Sequence, residues 1–124
     1  MKGQIIKEIG ALPEKHELLT ADVLAMAGFD IKFLRPISGR KTPDIEMNKL
    51  KWEIKAPKGK GNDLIHNTIH RASAQSPNII IDLHRIKMPE DKAIISIIKY
   101  ANELKNVKRV KVISKSREII DIKK

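Results

Sequence analysis

The chain has 124 residues, with 25 Lys or Arg against 15 Asp or Glu, a formal net charge of +10 and a pI near 9.9. That length supports one hydrophobic core, so a single domain over residues 1–124 is expected, and the charge calls for a polyanionic partner, nucleic acid ahead of an anionic membrane. The absence of cysteine excludes disulfides, thiolate zinc sites and cysteine nucleophiles, and an aromatic content of 3% argues against base-stacking RNA modules.

The first expected helix covers residues 14–28, with Leu19, Val23, Met26 and Ala27 at helical spacing and Gly28 as its stop. Ile31 to Leu34 reads as a short strand ending at Arg35-Pro36, and the basic loop from Ser38 to Thr42 leads into a hairpin. A second helix from about Asp63 to Gln75 has Ile65, Ile69 and Ala72 on its buried face, leaving Asn67, His70, Arg71 and Ala74 away from it. Asn78 to Leu83 is a continuous apolar run, expected of a strand covered on both faces. A third helix, about Glu90 to Leu104, carries the stripe Ile94, Ile97, Ile98, Ala101 and Leu104. Val107 to Ile113 and Ile119 to Ile122 close the chain as strands. The order α-β-β-β-α-β followed by α-β-β predicts a mixed α/β fold. Its second and third helices should act as right-handed crossovers between parallel strands. No signal peptide, lipidation signal, basic amphipathic helix or long apolar run points to a membrane, so the isolated domain is expected to act in solution.

The hairpin is the most informative segment. In TPDIEMNKLKWEIKAP, a two-residue turn at Asn48-Lys49 sets Met47 opposite Leu50, Ile45 opposite Trp52, and Asp44 opposite Glu53. Opposed side chains have β-carbons about 4.5–5.5 Å apart, so two carboxylates meet on one face with Lys55 beside them. Such neighbours repel unless a cation lies between them. The alternative is an ordinary solvated strand face, with Glu46 opposite Lys51 as a surface pair.

An Asp at the end of the second strand and Glu-x-Lys on the third resemble the PD-(D/E)xK nuclease superfamily. The wider pattern GRKTPDIEMN…WEIKAP…TIHRASAQSPNIIIDL resembles the C-terminal tRNase domains of CdiA-type contact-dependent growth-inhibition toxins. The resemblance implies a restriction-endonuclease-like core and a metal-dependent endonuclease. Asp44, Glu53 and Glu17 would be metal ligands, with Glu14 the lesser choice for the third and the Ile54 carbonyl as a further oxygen. Lys55 would orient or deprotonate the attacking water, or steady charge on the phosphate. Arg71 and Gln75 would face the scissile phosphate. An oxygen shell suits Mg2+, with Mn2+ or Zn2+ as alternatives. The partners implied are tRNA, or DNA as the runner-up, and an acidic immunity protein. The place of action implied is the cytoplasm of a target bacterial cell, reached as the C-terminal part of a larger secreted protein. A basic nucleic-acid-binding module without catalysis is the alternative from a different class, and the presence of Asp44, Glu53 and Lys55 together favours the enzyme.

Four more residues are candidates for substrate contact. Lys58 and Lys60 lie in the glycine-bearing loop after Lys55, Thr42 precedes the Pro43-Asp44 pair, and His70 lies on the second helix. His66 and His70, four apart, could also form a metal pair, but no third ligand is in view. Asp82 is read as a buried partner for Arg85 or as a site residue, and His84 as structural or at the rim. Ser73 and Ser76 have no nearby base.

Overall fold

The computed structural model describes residues 1–124. Three helices and seven strands run in the order β1 (Ile5–Lys7), α1 (Lys15–Met26), β2 (Ile31–Phe33), β3 (Ile45–Met47), β4 (Leu50–Lys55), α2 (Leu64–Ser73), β5 (Asn78–Asp82), α3 (Glu90–Glu103), β6 (Arg109–Ile113) and β7 (Ile119–Lys123). From α1 onward this is the expected order. The strands form one mixed sheet in sequence order, with β4, β5 and β6 mutually parallel and β2, β3 and β4 successively antiparallel. β1, pairing parallel with β2, has no counterpart in the sequence reading. Three residues are too few for a period-2 pattern to emerge.

Alternation along β5 shows how the sheet is covered. Ile79 and Ile81 belong to the core built with Ile65, Ile69, Ala72, Ala93, Ile97 and Ala101 of α2 and α3. Ile80, facing the other way, joins Trp52, Ile54, Phe33 and the α1 residues Ala21 and Leu24. The sheet is therefore sandwiched, with α1 on one face and α2 with α3 on the other. All five β5 residues are buried, as their apolar run requires.

The hairpin has the expected register, Ile45 with Trp52 and Met47 with Leu50. Asn48 and Lys49 take φ of 55° and 65°, the left-handed pair that a two-residue turn needs to match strand twist. Trp52 Nε1 donates to the Met47 carbonyl at 3.0 Å, so the indole is buried with its polar atom satisfied. Gly28 follows α1 at φ 101°, in the left-handed region where a helix ends most readily on glycine.

The buried side of α1 differs from expectation. Leu19 and Met26 are 43% and 68% exposed, and the buried positions are Thr20, Ala21, Leu24 and Ala25. Apolar residues surround this helix, so spacing alone does not select a face. Two alanines let its backbone lie close to the sheet, and Thr20 Oγ1 donates to Asp82 at 2.7 Å, which fixes its rotation.

Candidate functional site

β3 begins one residue after Asp44, and this boundary builds the site. The Asp44 N–H reaches the Trp52 carbonyl at 3.0 Å, while its Oδ2 accepts the Ile54 N–H at 2.8 Å. The carboxylate thus stands where the next backbone carbonyl of a longer β3 would have been. Glu53 and Lys55, two apart on β4, project to the face that α2 covers. Lys55 Nζ lies 3.1 Å from Glu53 Oε2 and donates to Gln75 Oε1 at 3.0 Å, and Gln75 Nε2 reaches the Thr42 carbonyl at 3.4 Å. Gln75, expected to face a phosphate, lines the cleft and holds the lysine.

Glu17 comes from the first turn of α1, where Oε1 accepts the Glu14 N–H at 2.8 Å and so caps the helix. Its carboxyl also meets Asp44. Glu14 turns outward, its side chain 74% exposed, so Glu17 is the acid that joins the pair.

The alternative reading of an ordinary solvated strand face does not hold for Glu53, which is 2% exposed. Strand alternation separates the two faces of a sheet but cannot tell that the next helix, α2, covers the polar one. Glu53 Oε1 is buried without a hydrogen-bond partner, an unmet acceptor at the centre of the cluster. Burial raises the pKa of Glu53, against the pull of Asp44 and Lys55. Burial, then the neighbouring Glu53, pushes Asp44 up to about 7, and burial with Asp44 nearby does the same to Glu17. Three carboxyls share one ammonium in a half-dry site, which favours protonation or an added cation. No group of three or more His, Asp or Glu side chains closes into a ligand cage here. The converging oxygens and the unmet Glu53 acceptor nonetheless fit an oxygen-liganded divalent ion better than they fit empty space.

A pH dependence follows. Asp44 and Glu17 rise from ordinary values of 3.8 and 4.5 to about 7, so between those limits the folded chain keeps protons that the unfolded chain has released. Their stabilisation is complete below about pH 4 and disappears as pH rises through 7. Metal-free protein should melt roughly 5–10 °C lower at pH 8 than at pH 5.5, on the order of 2 kcal/mol after allowance for coupling and solvent. Asp44→Asn should flatten that slope, and Mn2+ should restore stability mainly at the higher pH. Calorimetry with EDTA and with Mn2+ tests this; equal pH slopes in both proteins would show that Asp44 titrates normally.

The cluster opens into a cleft of about 520 Å³ between β4, α2 and α1, lined also by His16, Lys58, Thr68, Arg71 and Arg85. A smaller hollow of about 200 Å³ continues past Glu17 and Asp44 to Thr42 and Pro36. Of the expected substrate contacts, Arg71 and Lys58 line the cleft, and Thr42 lines the hollow beside it. Lys60 is exposed outside both. His70 lies outside the cleft: its ring meets that of His66 at a tilt, 4.2 Å between centroids, and His66 meets Tyr100 of α3 at 5.0 Å. Residues 64, 68 and 71 of α2, with Gln75 just past its end, line the cleft, which leaves 66 and 70 about half a turn away.

Asp82 is paired with Arg117, at 2.8 and 2.9 Å, and not with Arg85. His84 Nδ1 lies 2.9 Å from the same carboxylate, which makes His84 part of a half-buried clamp around the buried Asp82. Arg85 instead donates to the Ala56 carbonyl and lines the cleft, a role the sequence reading missed. The only signal was its place two residues beyond a buried strand end. A separate hollow of about 470 Å³ crosses β1 to β3, where Lys32 and Glu46 pair at 3.7 Å and no carboxylates crowd together.

Two comparisons with known proteins bear on this fold. The chain is similar in structure to a solved protein titled "CdiA-CT/CdiI toxin and immunity complex from Burkholderia pseudomallei", with a TM-score of 0.72 over 98% of this chain and 100% of that chain, at 23% identity. At that identity the likeness is one of fold. No curated protein sequence matches the chain significantly. No helix is long and apolar enough to cross a membrane. Residues 41–119, which span Asp44, Glu53, Lys55 and the cleft-lining arginines, match the family described as the contact-dependent growth inhibition CdiA C-terminal domain, and the chain belongs to that family.

Proposed function

We propose that this chain is the nuclease effector of a contact-dependent growth-inhibition system, cutting phosphodiester bonds of tRNA with the help of a divalent cation. The observation that carries the reading is the convergence of Asp44, Glu17 and the unsatisfied Glu53 Oε1 beside the Lys55 ammonium in an open cleft. Asp44, Glu53 and Glu17 would hold the cation, Mg2+ ahead of Mn2+ or Zn2+, with the Ile54 carbonyl as a further oxygen. When bound, the cation supplies Lewis acidity toward a phosphate oxygen.

The chain's own residues do the rest. Lys55, fixed between Glu53 and Gln75, aims a compact positive charge at the phosphate, where it orients the attacking water and steadies the charge that develops. Arg71 grips a phosphate oxygen from the opposite wall of the cleft, since no carboxylate of the chain occupies its guanidinium. tRNA is favoured by the resemblance of the sequence pattern to tRNase domains of CdiA-type toxins, and by an aromatic content too low for base stacking, which leaves shape and phosphate charge to be read. A protein of this family is carried at the C-terminal end of a larger protein, and the proposed place of action is the target cell's cytoplasm. The solved relative is a toxin in complex with an immunity protein, and a chain of charge +10 would be captured fastest by an acidic one.

Incubation with total tRNA and with plasmid DNA, each with Mg2+ and with EDTA, tests the reading. Mg2+-dependent loss of tRNA is expected, and expression in a cell without an inhibitor should arrest growth. Nicking of plasmid with tRNA left whole would turn the proposal into a DNA endonuclease; inertness toward both, with harmless expression, would favour a silent binding module.

The loop lysines should separate. Lys58→Ala removes a cleft cation and should reduce the slope of log affinity against log salt by about 0.7 to 0.9. Lys60→Ala should leave the slope unchanged. Equal effects would mean that both lysines act only through general charge.

A further inference from the structure

Arg85 has an arrangement that a merely structural arginine would not need. Its Nε donates to the Ala56 carbonyl at 3.0 Å, and Nη2 donates to the same oxygen. These two groups make up one edge of the guanidinium. The other edge, between Nη1 and the outer hydrogen of Nη2, has no hydrogen-bond or carboxylate partner, although the side chain lines the cleft and is partly buried. The turn that carries Arg85 is itself pinned: Gly59 and Ile86 form a bridge, and the Lys87 N–H reaches the Gly59 carbonyl at 2.8 Å. That bridge also ties the Lys58 loop to the Arg85 turn. A planar fork held rigid, free on its bidentate edge and backed by a lysine matches a phosphate or carboxylate.

The position selects between the phosphates of a polynucleotide. Glu53 and Lys55 lie on β4, with Asp44 and Glu17 gathered beside Glu53, whereas Arg85 is anchored to the carbonyl of Ala56, just past the end of β4, and shares that part of the cleft with Lys58. We propose that Arg85, with Lys58, forms a second phosphate subsite that grips the phosphodiester adjoining the one being cleaved. The inference rests on the nuclease reading and adds to it a requirement: the substrate must present at least two consecutive backbone phosphates to the cleft. Arg85 is then a binding residue that sets the register of the strand over Lys55.

The test uses a short RNA hairpin spanning the bond cut in total tRNA, with one methylphosphonate introduced at a time. Affinity is measured in a Glu53→Gln background, so that cleavage does not interfere, for chains carrying Arg85, Arg85→Lys or Arg85→Gln. Glutamine can still donate to the Ala56 carbonyl, which protects the fold, and an unchanged melting temperature checks this. One linkage beside the cut should lose affinity about tenfold when neutralised, the lower range for a charge-assisted hydrogen bond. Arg85→Gln should bind the all-phosphate hairpin about tenfold more weakly and be indifferent to neutralisation at that linkage. Arg85→Lys should recover part of the loss. Arg85→Gln that remains as sensitive as the parent at every linkage, or that couples only to the scissile one, overturns the inference while leaving the nuclease reading intact. A chain that neither binds nor cuts nucleic acid overturns both.

Discussion

Replacement of Glu53 by glutamine is expected to lower tRNA cleavage by about 10³-fold or more while leaving the metal-free fold at least as stable as before. The activity estimate follows from the work assigned to the carboxylate cluster. Lewis-acid stabilisation of a phosphoryl transition state contributes several kcal/mol, and each 1.36 kcal/mol is a factor of ten. Glutamine keeps the shape but gives up the charge that would hold the cation. The stability estimate follows from burial. Glu53 is 2% exposed, one of its oxygens is unmet, and Asp44 crowds it. A neutral amide removes that repulsion, donates to Asp44 and still accepts from Lys55. At pH 8 the variant should therefore melt no lower than the parent in EDTA, but gain much less from added Mn2+. Single-turnover cleavage and calorimetry, each with and without metal, give the two readouts. Activity within tenfold of the parent would remove Glu53 from the site. Parallel collapse of activity and melting temperature would make it a structural residue.

The hairpin was legible because its information is local: Asn48-Lys49, the apolar alternation, and the consequent approach of Asp44 to Glu53 all lie within twelve residues. The long helices α2 and α3 and the apolar β5 were legible for the same reason. What escaped the sequence depends on distant partners. The burial of Glu53 comes from α2 crossing back over the polar face of β4. The rotation of α1 comes from Thr20 meeting Asp82, 62 residues away. Gln75 was placed beside the site, but its hydrogen bond with Lys55 was not foreseen, because a helix pattern fixes a side chain's direction without saying which group will meet it. His70 shows the reverse: its angular position on α2 was readable from the cleft residues at 64, 68, 71 and 75, once a cleft was known to exist.

Arg117→Ala is expected to cost about 3–5 kcal/mol at pH 7, lowering the melting temperature by roughly 10–20 °C. Asp82 is 0% exposed, and its carboxylate is held by the Arg117 fork, by Thr20 Oγ1 at 2.7 Å, and by the N–H and ring of His84. Burial alone would raise its pKa; the hydrogen bonds, those of Arg117 foremost, reverse this and hold it below 3.8. Removal of the guanidinium leaves a buried charge with two weaker partners, and that is where the cost arises. The pH dependence gives the mechanism away. With its folded pKa lowered, Asp82 contributes stability above pH 3.8 that is lost as pH falls through the folded value. In the variant that pKa rises, so Asp82 takes up a proton at mild acidity and the deficit should shrink from pH 7 toward pH 4. Arg117 also has φ of 70°, so Arg117→Gly should recover up to about 1 kcal/mol of backbone strain that alanine retains. A deficit that does not change with pH would assign the loss to packing of the arginine stem. A variant within about 1 kcal/mol of the parent at pH 7 would mean that Thr20 and His84 suffice to hold the carboxylate, and that α1 with its Glu17 does not depend on this clamp.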